Sequence, residues 1–381
     1  MRGQRAIKRG TVILIAGFAF FAALNILARL STQFSDFYVG KIYPVISTPF
    51  IFLSGLLPFS LGELMIALAV AAFFLGIPTL VLFLVLKRRS AGLRKRVLLK
   101  LSKTVLWIAL YIFATETLGC FIMYQCSTFS DRYLPASEHT SELLLDTLGA
   151  VAKRLGELSD EFERDGEGYI VLKTQDYIED CKTAMSRLAG EYPMLSGYYP
   201  SPKPIISSYF MSQQGIIGLY IPFAFEATYN RDTQDISKPC TLCHELSHLK
   251  GVIQEDEASF VAILACTRSE NTALRYSAYL DAFYYLYSNA SELLGTEYEP
   301  MLREAVSEVP DAVWEKDLYS YRADYWETNS DKEIIPTETV QAVSEALTDA
   351  MLKSNDVEEG ILIYYRVTEL LMDYYALNQS I

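Results

Sequence analysis

The chain has 381 residues, 51 % of them hydrophobic, with 33 Lys and Arg against 46 Asp and Glu, a length that suits two structural units. Charge divides them: residues 1–125 carry 14 basic and three acidic side chains, and residues 126–381 carry 19 and 43. The second unit, at −24, has no basic surface to hold phosphates, which excludes nucleic acid as its partner.

Three apolar stretches come first: Thr11–Leu30, Leu61–Leu86 and Leu101–Tyr124. Each is long enough to cross about 30 Å of hydrocarbon, and each is too apolar all round for an ordinary core helix. The first is not read as a cleaved signal peptide, because no small-residue cleavage site follows and two more spans do. Val45–Leu57 is apolar but short, with Pro44 and Pro49 breaking it, and reads as an interfacial or re-entrant piece. Arg2, Arg5, Lys8 and Arg9 precede the first span, and seven basic residues lie from Lys87 to Lys100, whereas residues 31–60 hold only Lys41. By the positive-inside rule the N-terminus and the 87–100 loop are cytoplasmic. Three spans then anchor a multi-pass protein in the lipid bilayer of the cell membrane, with everything after Tyr124 extracytoplasmic. Glu116 falls inside the third span and is expected near its outer end, protonated or paired. An outer location permits disulfides among the six Cys, though spacing fixes no pairing.

Residues 126–381 read mainly as helix. Ser141–Arg164 and Thr174–Leu188 are amphipathic, and Gly190, Pro193 and Gly197 then break the pattern. Pro204–Met211 and Gly215–Phe223, rich in Ile, Tyr and Phe, read as two strands of a small sheet, as in a hairpin. Asn230–Lys238 is a polar loop. Ser237 and Pro239 open a helix that Gly251 closes. Further helices are expected at Glu255–Thr267, Thr272–Leu294, Ala312–Glu327, Thr337–Lys353 and Glu358–Leu377.

Of the three histidines, 139, 244 and 248, two fall in His244-Glu245-Leu246-Ser247-His248. Positions i and i+4 of a helix differ by about 40° in azimuth and about 6 Å along the axis. Both imidazoles therefore leave one face and can share a tetrahedral zinc ion, Zn2+, while Glu245 flanks it as general base. A third ligand is needed. The segment Gln254-Glu255-Asp256-Glu257-Ala258-Ser259 supplies carboxylates, and Glu255 and Glu257 lie about 200° apart on a helix, so only one can face the metal. Glu255 is preferred, because the small Ala258 and Ser259 share its face and allow close approach; Glu257 is the alternative.

This pattern resembles the gluzincin branch of the zincin metallopeptidases, in which a Glu in an E-x-x-A-[DNS] context on the following helix completes the site. The chain is also similar to an uncharacterised family of bacterial membrane proteins that carry N-terminal spans, a glycine-rich strand, a C-H-E-L-x-H-x-x-G segment and E-D-E-A; here these are Gly215–Phe223, Cys243–Gly251 and Glu255–Ala258. The resemblance implies a zincin-like α+β fold, mainly helical with a small sheet. It implies zinc held by His244, His248 and Glu255, peptide or protein substrates, and an edge strand at Gly215–Phe223 beside the site. Two departures stand out. The interval from His248 to Glu255 is short for gluzincins, and Gln254 stands where metzincins have their third His.

Competing readings exist. Cys240-Thr241-Leu242-Cys243-His244 matches the C-x-x-C-H attachment of c-type haem, with His244 as axial ligand. That reading leaves Glu245 and His248 unexplained. The motif can also arise by chance on an amphipathic helix, and a zinc-binding scaffold or sensor without turnover would carry the same ligands. Within the Tyr-rich helix, Tyr276 is a candidate to stabilise an oxyanion. The expected whole is a three-helix membrane anchor, 1–125, followed by a zinc metallopeptidase unit, 126–381, with Glu245 as general base.

Overall fold

A computed structural model describes residues 9–85, 91–354 and 363–381. The basic residues Arg2, Arg5, Lys8, Lys87, Arg88 and Arg89 and the expected helix start at Glu358 lie outside the described residues. The chain is mainly helical with one three-stranded sheet. Four helical runs near the N-terminus are long and apolar enough to cross a membrane, where the sequence reading expected three. They comprise α1 (Arg9–Leu30); α2 (Thr32–Phe37), a π-turn over Tyr38–Ile42 and α3 (Tyr43–Gly55); α4 (Leu61–Val85); and α5 (Ala91–Glu116), which continues as a π-turn over Thr117–Phe121. The short apolar piece around Val45 is thus part of a longer helical run, because Pro44 sits in the first turn of α3, where its missing N–H costs nothing. Glu116 marks the point where α5 passes into the π-turn.

The remainder packs helices around the sheet. They are α6 (Phe129–Tyr133), α7 (Ser141–Ser159) and α8 (Ile178–Leu188), then β1 (Lys203–Ile205), α9 (Ser208–Gln213), β2 (Gly218–Ile221) and β3 (Glu226–Asn230). After these come α10 (Lys238–His248), α11 (Glu255–Thr267), α12 (Thr272–Leu293), α13 (Glu299–Ala305), α14 (Tyr325–Thr328), α15 (Thr337–Ser354) and α16 (Ile363–Asn378). The two expected strands do not form a hairpin with each other. β3 lies between them, parallel to β1 and antiparallel to β2. Residues 208–211 are helical because the Glu63 carboxylate accepts from the N–H groups of Ile206 and Ser207, 2.9 and 2.8 Å, and turns the chain there. The expected helix over 312–327 is broken. It keeps only a π-turn at Val313–Asp317 and α14, since the Gln234 amide bonds the carbonyls of Lys316 and Tyr319 and its N–H bonds that of Ser320.

One hydrophobic core joins the two halves of the sequence. Tyr38, Val39, Tyr43, Ile51, Ile122 and Met123 belong to the same buried cluster as Leu246, Phe260 and Phe283. The composition break near residue 125 is therefore not a break in packing. Polar ties repeat the connection. Asp36 accepts from the Ser127 N–H at 2.8 Å and pairs with Arg132. Buried Glu226 of β3 accepts from Ser60 Oγ (2.9 Å), from the N–H groups of Leu61 and Gly62 (3.1 and 2.9 Å), and from the Lys203 ammonium at 2.5 Å.

Candidate metal centre

α10 begins with Pro239 in its first turn and ends where expected: Gly251 takes φ +90°, and its N–H bonds His248 O at 3.0 Å. The absent side chain matters too, because a Cβ there would meet Val39 Cγ1 at 2.8 Å. α11 follows at once with Glu255, Asp256 and Glu257 in its first turn, where carboxylates suit the positive end of the helix dipole. The two helices pack together, and β2 lies against α10.

The ligand-type atoms converge. His244 Nε2 lies 3.0 Å and His248 Nε2 3.8 Å from the same oxygen, Oε2 of Glu255. Two ligands of one tetrahedral zinc, each at roughly 2.0–2.1 Å, stand about 3.3 Å apart, so these separations suit the ion. His248 Nδ1 donates to the Val252 carbonyl at 2.7 Å, which leaves Nε2 with its lone pair for a metal. His244 Nδ1 sits 3.2 Å from Ser259 Oγ. Potential ligand atoms of His244, Glu245 and His248 also lie within 4.8 Å of one another. Glu245 is 4 % exposed, and among the described residues its Oε2 has no hydrogen-bond partner. A buried carboxylate oxygen left without a donor fits a site built for a cation and its water. The donor set, two imidazoles and a carboxylate that is 43 % exposed, fits zinc.

Electrostatics follow from burial and from the shared geometry. Burial pushes the Glu245 carboxyl up to about 8 and the His248 imidazole down to about 4. For Glu255 burial acts upward, but the facing imidazoles of His248 and His244 outweigh it and bring the carboxyl down to about 2. His244 is raised: burial opposes its charge, and the Glu255 carboxylate prevails.

The structure separates the two carboxylates that the sequence left open. Glu257 is fully buried on another face, where it accepts from the N–H of Ser130 at 2.9 Å and from its hydroxyl. His139 is remote from the pair and bonds Asp373 at 2.8 Å. Tyr276 is not at the site either. It is fully buried, with its hydroxyl 2.6 Å from Asp317 Oδ2, a carboxylate that also takes Arg164. Tyr220 of β2 does lie beside the site, its ring 5.8 Å from that of His248. Cys240 and Cys243 point into the packed interior, with Cys243 Sγ 3.4 Å from Cys266 Sγ. A haem joined to both would lie inside the interface between helices, and His244 Nε2 already faces Glu255, so the burial speaks against the haem reading. All six cysteines are buried free thiols.

A family model described as "Protein of unknown function (DUF3810)" matches residues 38–372. The chain belongs to this family. The DUF3810 match starts within the π-turn after α2 and takes in α4, α5 and every residue of the candidate metal centre, so the family unit itself runs across the composition break. No curated protein and no solved structure matches the chain.

Gly218, Val252 and Asp281 were not singled out by the sequence reading. Asp281 of α12 meets the Cys240 thiol and faces His244; burial raises its carboxyl to about 6. Gly218 had a legible signal, an isolated glycine within a strand, which marks close approach. A Cβ at Gly218 would stand 2.4 Å from Glu245 Oε1 and 2.7 Å from Thr241 Cγ2. Gly218→Ala is therefore expected to displace the Glu245 carboxylate and to cost about 1–3 kcal/mol of stability. Thermal unfolding checks this, with the midpoint lowered.

Proposed function

We propose that the chain is a membrane-anchored zinc-dependent metallopeptidase with a zincin-like site. The observation that carries this reading is the convergence of His244 Nε2 and His248 Nε2 on one oxygen of Glu255, beside a buried Glu245 carboxylate oxygen that lacks a donor. His244, His248 and Glu255 would hold the zinc, which supplies Lewis acidity toward a scissile carbonyl and lowers the pKa of bound water to about 7. Glu245 would act as the general base, accepting a proton from the attacking water and passing it to the leaving amine. β2 is an edge of the sheet. Asn230 N–H donates to Ile217 O at 2.8 Å, so Ile217, Leu219 and Ile221 bond β3 and the main-chain groups of Gly218 and Tyr220 point to the open side. An extended peptide could add there as a strand, alongside Gly218, whose own Cβ position adjoins Glu245.

The test is zinc content of the purified full-length chain, wild type beside His248→Ala, together with hydrolysis of a mixed peptide pool before and after chelation. About one zinc per chain, lost in the variant, with chelator-sensitive cleavage, is the expected result. Absence of bound metal overturns the reading. Zinc without any cleavage leaves the ligands as those of a binding scaffold.

A further inference from the structure

We infer that the run Thr32–Gly55 does not cross the bilayer, and that the exposed face of α3 is covered by lipid in the leaflet on the side of the metal centre. By length and composition this run qualifies as a span. Its two ends exclude that. At the start, Asp36 bonds Ser127 and Arg132, in the segment that leads through Ser130 to Glu257 of α11. At the finish, the Ser54 carbonyl accepts from Lys203 Nζ at 2.6 Å, and Ser60 bonds Glu226 of the sheet. A crossing would put these ends about 30 Å apart on opposite sides of the hydrocarbon. Here both are tied to the same folded unit.

The faces of α3 then assign its surroundings. Tyr43, Ser47, Ile51 and Ser54, spaced four, four and three apart, are buried against the rest of the protein. The opposite face shows Val45, Phe52, Leu53 and Leu56 at 74, 48, 61 and 65 % exposure. No charged residue occurs from Ile42 to Gly62. Apolar surface of this kind needs a partner. α4 begins six residues after α3 and has no buried residue in its apolar window, so the exposed face runs directly into a helix suited to lipid. An amphipathic helix of this type lies about 5–10 Å into the boundary between headgroups and acyl chains.

Charge agrees. The basic cluster Arg2–Arg9 and the basic run Lys87–Lys100 belong on one side of the membrane. Two crossings between them, α1 and α4, achieve this; a third would place them on opposite sides. Tyr43, on the inner face, reaches the hydroxyl of Tyr220 at 3.5 Å, so the wedge also backs the strand beside His248.

Two measurements on the full-length chain in sealed membranes test the inference. Epitope tags at the two termini are expected on opposite faces of the membrane; tags on the same face would overturn it. Val45→Trp, Phe52→Trp and Leu56→Trp, each read as a difference from the unsubstituted chain with its three Trp, are expected to be quenched equally by lipids brominated near the headgroup. Quenching deepest at Val45 would mean a crossing, and no quenching at any of them would remove lipid as the occupant; either result sinks the proposal. Neither readout needs zinc or cleavage, so this inference and the peptidase reading fail separately.

Discussion

Glu245→Gln is expected to lower peptide turnover by about 10²- to 10⁴-fold while leaving zinc content unchanged. The amide has the shape of the carboxylate and fills the same slot against Gly218, so packing is preserved. What is lost is the ability to accept a proton. Burial raises the Glu245 carboxyl to about 8, and the charge of a zinc ion beside it would lower this and keep the carboxylate ionised for its role as base. Because a Glu245 oxygen lies in the same cluster as the two imidazoles, the metal measurement is as informative as the rate. Zinc retained with turnover lost assigns Glu245 to proton transfer. Zinc lost would make it a ligand, and full turnover in the variant would refute the mechanism.

Glu226→Gln is expected to destabilise the protein by about 3–5 kcal/mol, the range for removing one partner of a buried ion pair. Lys203 and Glu226 are 7 and 1 % exposed at their side chains, so bulk solvent has little access to either. The variant leaves the Lys203 ammonium buried without a counter-charge, among neutral acceptors such as the Ser54 carbonyl. It also weakens the hold on the turn at Ser60–Gly62, which leads into α4. Thermal unfolding of the full-length chain should show the midpoint fall by several degrees, and adding Lys203→Met should restore much of it by removing the orphaned charge. An unchanged midpoint in Glu226→Gln would mean that the pair is solvated.

The parts of the site that were legible in the sequence depend on local rules. The i, i+4 spacing of His244 and His248, the glycine needed at φ +90° to end α10, and the acidic first turn of α11 all act within one or two helical turns. Parts that depend on distant partners were not legible. β3 reads Glu-Ala-Thr-Tyr-Asn, an alternation too short and too polar to mark a buried strand, yet all five residues are buried. Its polar side chains are satisfied from afar, Glu226 by residues 60–62 and Asn230 by Ser212 and Tyr321. Glu257 stayed open as the alternative to Glu255 because its partner, Ser130, lies 127 residues away. Tyr276 was drawn toward the site by its place in a Tyr-rich helix, whereas Asp317, 41 residues on, claims its hydroxyl.

The clasp between Gly62 and Glu226 spans 164 residues of chain, and this sets a timetable for synthesis. At about 5–20 residues per second, roughly 8–30 s separate the emergence of the turn from that of the carboxylate that binds it. Throughout that interval the inner face of α3, with Tyr43 and Ser47, has no sheet to rest on. On the inferred topology, the nascent loop between the first two insertion events would wait on the membrane surface until the strand arrives. Factors that guard unfinished membrane proteins have that long to engage it.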